Sequence, residues 1–283
     1  MRLTRRLIAS FFAISLVAVG TAGVASAHDG GMTPQQMKCM ASQYKKDHAK
    51  LCKAADKTGG NGKVTLAHPL TYKKNGIIDV KKIDLTGVAG VTKQQAKVAK
   101  QLLVSTATTI TKWNDPAVAT ADGFQSIGDG VTGEEHFLHW DWINDSTIFD
   151  PNHPESLVYH VDRATGKKQL EAAMYILPDK YTLTNPPKKY TSNLVQYHEH
   201  DNLCFNSATA TQGPQVRGLT RADGTCGTMF GQQLTKFNPN IQVHVWIRPN
   251  ECGPFASLLG VGAGQIKSGT QRSCVHMKNR LGL

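Results

Sequence analysis

The pattern of apolar and polar positions changes character along the 283-residue chain. After three arginines within Met1–Arg6, Leu7–Val24 is a run of apolar and small residues, closed by Ala25-Ser26-Ala27. This is the layout of a cleavable secretory signal, so residues 1–27 are read as one and the mature chain is expected to begin at His28. Thr33–Lys57 has no Gly or Pro after Pro34 and predicts helix. Thr92 is a credible N-cap, with Gln95 three residues on as capping-box partner. A second helix should follow from Lys93 to about Trp113, with Val98, Leu102, Val104, Ala107 and Ile110 on its apolar face. Asn114-Asp115-Pro116 ends it, and Ala117–Ala121 can add a short helical turn.

Beyond Gly123 the period shortens. Phe137–Trp142, Ser156–Val161, Leu170–Leu177, Leu194–His200 and Ile241–Ile247 have strand composition, separated by Pro, Gly, Asn and Asp. Gln242–Ile247 is the clearest of them. Helices first and strands later predict an α+β fold: N-terminal helices, then a mainly antiparallel β-sheet domain of barrel-like or sandwich-like form. The domain reading is 1–27 signal peptide, 28–91 N-terminal helical and irregular segment, and 92–283 a His-rich α+β domain.

Charge and cysteines narrow the setting. The formal net charge is +11, and without Arg2, Arg5 and Arg6 it is +8, from 29 basic against 21 acidic residues. The basic residues fall in short scattered pairs such as Lys45-Lys46 and Lys188-Lys189, so nucleic acid is not the expected partner. An anionic cell-envelope surface is the partner such a charge favours, beside a small-molecule or metal ligand. All six cysteines (Cys39, Cys52, Cys204, Cys226, Cys252 and Cys274) lie after the signal, which predicts disulfides in a secreted protein. Cys252–Cys274 is the pairing expected across the Gly-rich loop at 260–264. An unbroken helix over 33–57 would hold Cys39 and Cys52 ~20 Å apart, too far to bridge. Thr4-Arg5-Arg6-Leu7-Ile8 is also a fair start for twin-arginine export.

Eight of the eleven histidines stand at or after position 136, and they are the chemical signal. Residues i and i+2 of a strand share a face, so His198 and His200 should point together. His244, flanked by valines in the clearest strand, faces either the core or a pocket. His136 and His139 would share a face on a helix but not on a strand. His136 is preferred because Glu134 and Glu135 stand beside it. The expected site is therefore a divalent transition metal, zinc or copper above others, held by His198, His200 and His244, with His136 or Glu135 completing the set. The alternative expectation is a metal-dependent secreted enzyme, a hydrolase or oxygenase, which would need an open coordination position and a base, for which Glu135 and Glu199 are candidates. A disulfide-stapled envelope protein with purely structural histidines is the competing expectation. His28, as a new N-terminus, would offer an amine and an imidazole together. His48, His68, His153, His160 and His276 have no special context. G-x-S-x-G and H-E-x-x-H are absent.

Gly123–Gly130, the GEEHFLHW run at 133–140, Asp150–Tyr159, Ala173–Pro178, Tyr197–Phe205 and Val243–Gln265 together resemble a group of secreted bacterial, mostly actinobacterial, proteins without an assigned activity. The resemblance covers roughly residues 92–275. It implies one compact domain carrying the His blocks as a unit, and implies no reaction. The H-x-H spacing with a later His has some likeness to cupin sites, but Cys204 stands where those carry a Glu.

Overall fold

The computed structural model describes residues 64–257, apart from 131–132, 144, 163, 201–202, 222, 237–239 and 251. The signal segment, the 33–57 helix, Cys39, Cys52, Cys274, His28, His48, His276 and the 260–264 loop lie outside the described residues.

The helix expected after Thr92 is present. α1 spans Lys93–Thr109 and runs on as a 3-10 turn over Ile110–Trp113. Its capping box is complete: Gln95 N–H donates to Thr92 Oγ1 at 3.2 Å, and Thr92 N–H donates to Gln95 Oε1 at 2.8 Å. α2, Pro116–Ala121, begins behind the Asp115 cap with proline in its first turn, where the missing N–H costs nothing.

Two short strands follow, β1 (Gln125–Ser126) and β2 (Glu134–Leu138). The strand expected over 137–142 thus lies earlier. Trp140–Ile143 turns instead into a single helical turn, α3. β3 is Ser156–Val161 and β4 Lys168–Ile176. The remaining strands are β5 (Leu203–Phe205), β6 (Val216–Leu219), β7 (Thr228–Met229), β8 (Gln232–Gln233), β9 (Thr235–Lys236) and β10 (Gln242–Trp246). Residues 194–200, expected as a strand, form no ladder. They touch β10 through one isolated bridge, His198 to Gln242.

Among the described residues the strands make three sheets, all with antiparallel pairing: β1-β2-β3-β4-β10, β6-β5-β9 and the β7-β8 hairpin. The fold is α+β as expected, and the large sheet is not closed into a barrel. One face of that sheet carries Leu157, Tyr159, Leu170, Ala173, Tyr175, Val243 and Val245, and α1 covers it with Leu102, Leu103 and Ala107. Two buried tyrosines anchor the helical layer. Tyr175 Oη shares a 2.8 Å hydrogen bond with Thr106 Oγ1, and Tyr159 Oη donates to the Trp113 carbonyl at 2.6 Å. These bonds satisfy polar atoms that burial would otherwise leave costly.

The opposite face carries Leu138, Val158, Ala172, Met174, Ile176 and Trp246, and packs on Phe205, Cys252 and Ala256. A one-residue bulge fixes its composition. Tyr159 pairs with Leu170 but Val158 with Ala172, so Glu171 is inserted into β4 and the alternation of that strand changes phase. Leu170 faces α1, Glu171 and Ala172 face the other way, and Ala173 faces α1 again. The functional side chains gather on this second face.

Candidate metal centre

β2 and β10 are separated in the sheet by β3 and β4. In a flat sheet three spacings of ~4.8 Å would keep them ~14 Å apart. Yet His136 Nε2 on β2 lies 3.3 Å from His244 Nε2 on β10. The sheet is therefore curled, with this face concave and the imidazoles meeting across it. His198 enters from the segment beside β10. Its backbone exchanges both bridge hydrogen bonds with Gln242, at 3.1 and 2.7 Å, and this fixes where its side chain starts. The His198 ring lies over His244 at 4.8 Å between centroids and 12° between planes. His200 follows two residues later and meets His198 edge-on at 5.4 Å. The shared side of an H-x-H pair is thus kept, although no ladder imposes it.

His198 and His244 have no exposed surface, and His136 is 8 % exposed. Asp129 Oδ2 bonds His136 Nδ1 at 2.6 Å, and Asp129 Oδ1 accepts from the His136 backbone N–H at 2.9 Å. A carboxylate on one ring nitrogen sets the tautomer and turns the other nitrogen, Nε2, toward His244; metal-binding histidines are commonly oriented this way. Burial pulls the His136 imidazole down, but the charge and hydrogen bond of Asp129, with Glu134 and Glu135, outweigh it and the ring sits above its ordinary value. Burial, then the other imidazoles, push His198 and His244 well below theirs, so both rings are neutral at pH 7. Neither nitrogen of His198, nor Nδ1 of His244, makes a hydrogen bond of acceptable geometry. The backbones of Gln196 and Ser257 come near enough to favour the protonated rings slightly.

These spacings can be compared with coordination chemistry. Two imidazoles on one tetrahedral ion at ~2.0–2.1 Å place their nitrogens ~3.3 Å and their ring centroids roughly 5 Å apart. The 3.3 Å between the His136 and His244 nitrogens matches that spacing, and the 5.6 Å between their centroids is close to it; His198, whose ring is nearly parallel to that of His244 at 12°, would have to turn to direct a nitrogen at the same ion.

A second group lies on the same face. Glu134, His160 and Glu171 each offer one ligand atom, all within 4.8 Å of one another, and together could hold a metal ion. Glu134 and His160 are direct cross-strand partners, and the bulge turns Glu171 toward them.

The sequence expectations sort as follows. His136, His198, His200 and His244 are brought together. Glu135 is not among them: on β2 it alternates to the other side from His136, accepts a hydrogen bond from Ser126 Oγ, and pairs with Lys168 Nζ at 3.2 Å. His139 stacks on Trp142 at 3.6 Å and lies within hydrogen-bond distance of the Asp122 carbonyl. Glu199 is buried. Asp129, His160 and Glu171 were not singled out by sequence as ligands or ligand supports; Glu134 was named only as a support of His136, and it groups instead with His160 and Glu171. Two signals for them existed: Glu134 and His136 are two apart on one strand, and Glu171 is a charged residue inside the apolar run Leu170–Leu177.

Cys204 and Cys226 form a disulfide with Cα atoms 5.7 Å apart, tying β5 to the loop before β7. Cys252 is also disulfide-bonded; its expected partner, Cys274, lies outside the described residues. Disulfides fit an extracellular protein, and no helix among the described residues is long and apolar enough to cross a membrane. No protein-family model, no curated protein and no solved structure matches the chain.

Proposed function

We propose that this is a secreted metal-binding protein whose ion is held on the concave face by His136, His198 and His244, with His200 adjoining. One observation carries the reading: three buried imidazoles from three separate parts of the chain are packed together, with His136 Nε2 3.3 Å from His244 Nε2 and His198 stacked on His244. Buried imidazoles that lack good hydrogen bonds are costly in an apolar core. A shared cation uses their lone pairs at once. The all-nitrogen donor set favours zinc or copper over calcium or magnesium. Asp129 acts through His136, as the carboxylate that orients it.

A structural reading has its own support, because the 3.3 Å contact between His136 and His244 also suits an N–H···N hydrogen bond. Metal content separates the two. The exported protein, purified without chelator or affinity metal, is titrated with Zn2+ by calorimetry beside its His198→Ala/His244→Ala and Asp129→Asn variants. The expected result is a zinc equivalent lost in the double variant. In Asp129→Asn that equivalent should be kept but bound ~10–100-fold more weakly, the usual cost of losing an orienting carboxylate. Equal zinc uptake by wild type and double variant would refute the site.

A further inference from the structure

The second face holds more ligand chemistry than the imidazole cluster uses. We propose that Glu134, His160 and Glu171 form a separate divalent-cation site, selective for a harder ion of the Mn2+ or Fe2+ class. The proposal stands on its own geometry and does not require the imidazole site to be filled.

Three ligand atoms, one from each side chain, lie within 4.8 Å of one another. His160 Nδ1 is 3.5 Å from Glu134 Oε1. Glu134 is 8 % exposed and Glu171 4 %. Two carboxylates this close and this buried repel each other, and each has also given up hydration. A divalent cation would offset both charges at one point, whereas Arg248, which donates to the carbonyls of Leu170 and Asn75, feels the charge of Glu171 alone among these carboxylates.

Backbone architecture assembles the three residues. Glu134 and His160 are opposite one another across β2 and β3. Regular alternation would allow only one of Glu171 and Ala172 on this face, and the inserted residue in β4 puts both there. β4 therefore departs from regular pairing at the position that completes the cluster. One imidazole nitrogen and up to four carboxylate oxygens make a donor set harder than that of the all-imidazole site. Glu134 and His136 are two apart on one strand, so the two sites would lie ~7 Å apart measured along the chain.

The test uses the full exported protein and Mn2+ alone, followed by loss of the free-ion EPR signal. Wild type should bind one Mn2+ equivalent. Glu134→Gln/Glu171→Gln should bind at least tenfold more weakly, while His198→Ala/His244→Ala keeps wild-type Mn2+ affinity even where its zinc equivalent is gone. Failure of the imidazole site would appear as a zinc capacity unchanged by His198→Ala/His244→Ala, and failure of this one as Mn2+ binding unchanged by the Glu134 and Glu171 substitutions. If the double Gln variant does not fold, as judged by circular dichroism, His160→Ala takes its place, since that side chain is partly exposed. The proposal is overturned if wild type binds no Mn2+, or if the folded Glu or His160 variants bind it as wild type does. It is equally overturned if Mn2+ binding disappears with His198 and His244.

Discussion

Glu155 shows how a single side chain can make this fold pH-dependent. It follows the rigid Asp150–Pro154 turn, is 2 % exposed, and its Oε2 accepts from the Ile176 N–H at the end of β4 at 3.2 Å. Its backbone carbonyl accepts from the His139 N–H. The residue thus clamps the turn to the sheet. Burial is the main cause that raises its carboxyl to about 8, with Asp145 and Asp150 adding to it. A carboxyl raised by folding binds its proton more tightly in the native state than in the unfolded one. Its contribution is therefore complete below the ordinary value of 4.5 and is lost as pH climbs toward 8. At ~1.4 kcal/mol per unit the full window is worth on the order of a few kcal/mol. Glu155→Gln keeps an oxygen for Ile176 and removes the titration. Relative to wild type, the variant should gain stability between pH 5 and pH 8.5, read from urea midpoints at the two pH values. A wild-type-minus-variant difference that does not change with pH would rule out this role.

At the scale of elements, the helical layer was legible in the sequence because its signals are local. Thr92 and Gln95 stand three apart, the apolar positions of α1 recur at helical spacing, and Asn114-Asp115-Pro116 stops the pattern. The capping box also reaches outward: Gln95 Nε2 donates to the Thr191 carbonyl at 2.9 Å, joining the start of the helix to the 188–191 turn. Thr92→Ala should cost ~1 kcal/mol of stability by denaturant unfolding, as losing an N-cap side chain usually does. It should leave zinc uptake unchanged, because α1 packs on the face opposite the imidazoles; a parallel loss of zinc would mean that the two faces are coupled. β3 and β10 were legible too, as short apolar runs between turn residues. Less was visible where pairing is decided by distant chain. The two- and three-residue strands β1, β5, β7, β8 and β9 are too short to carry a period. Residues 194–200 have strand composition, yet only His198 bridges to a neighbour. The bulge at Glu171 cannot be read from Leu170–Leu177, since that run is apolar on both faces and conceals the change of phase. Of the candidate site, the H-x-H pair, His244 and His136 were readable from alternation and context. Asp129, His160 and Glu171 were not singled out, and Glu134 was named only beside His136, because their grouping depends on which strands become neighbours.

At the scale of the whole molecule, the candidate ligands link parts of the chain that secondary structure leaves far apart. His136 is on β2, His244 on β10 at the far side of the sheet order, and His198 on a segment held to β10 by one bridge. The unfolded chain has no such arrangement, so an ion bound here stabilises only the native state. At a free metal concentration of 100 times Kd, the gain from one site is ~2.7 kcal/mol. For a domain of this size each kcal/mol moves Tm by ~2–4 °C. Zinc at that level should therefore raise Tm by ~5–10 °C, and a chelator should reverse the rise. The experiment must keep disulfides oxidised. The Cys204–Cys226 bridge closes a loop of 22 residues, worth ~3 kcal/mol by chain entropy, enough to mask the metal effect if it were reduced. The His198→Ala/His244→Ala variant should show no zinc-dependent rise from the imidazole site and should still respond to Mn2+ through Glu134, His160 and Glu171. Scanning calorimetry of the two proteins with Zn2+, with Mn2+ and with chelator gives a pattern that a structural role for the histidines does not produce. Packing histidines would lower the Tm of the variant by the same amount in all three conditions, whereas a metal centre makes the loss largest in zinc and smallest in chelator.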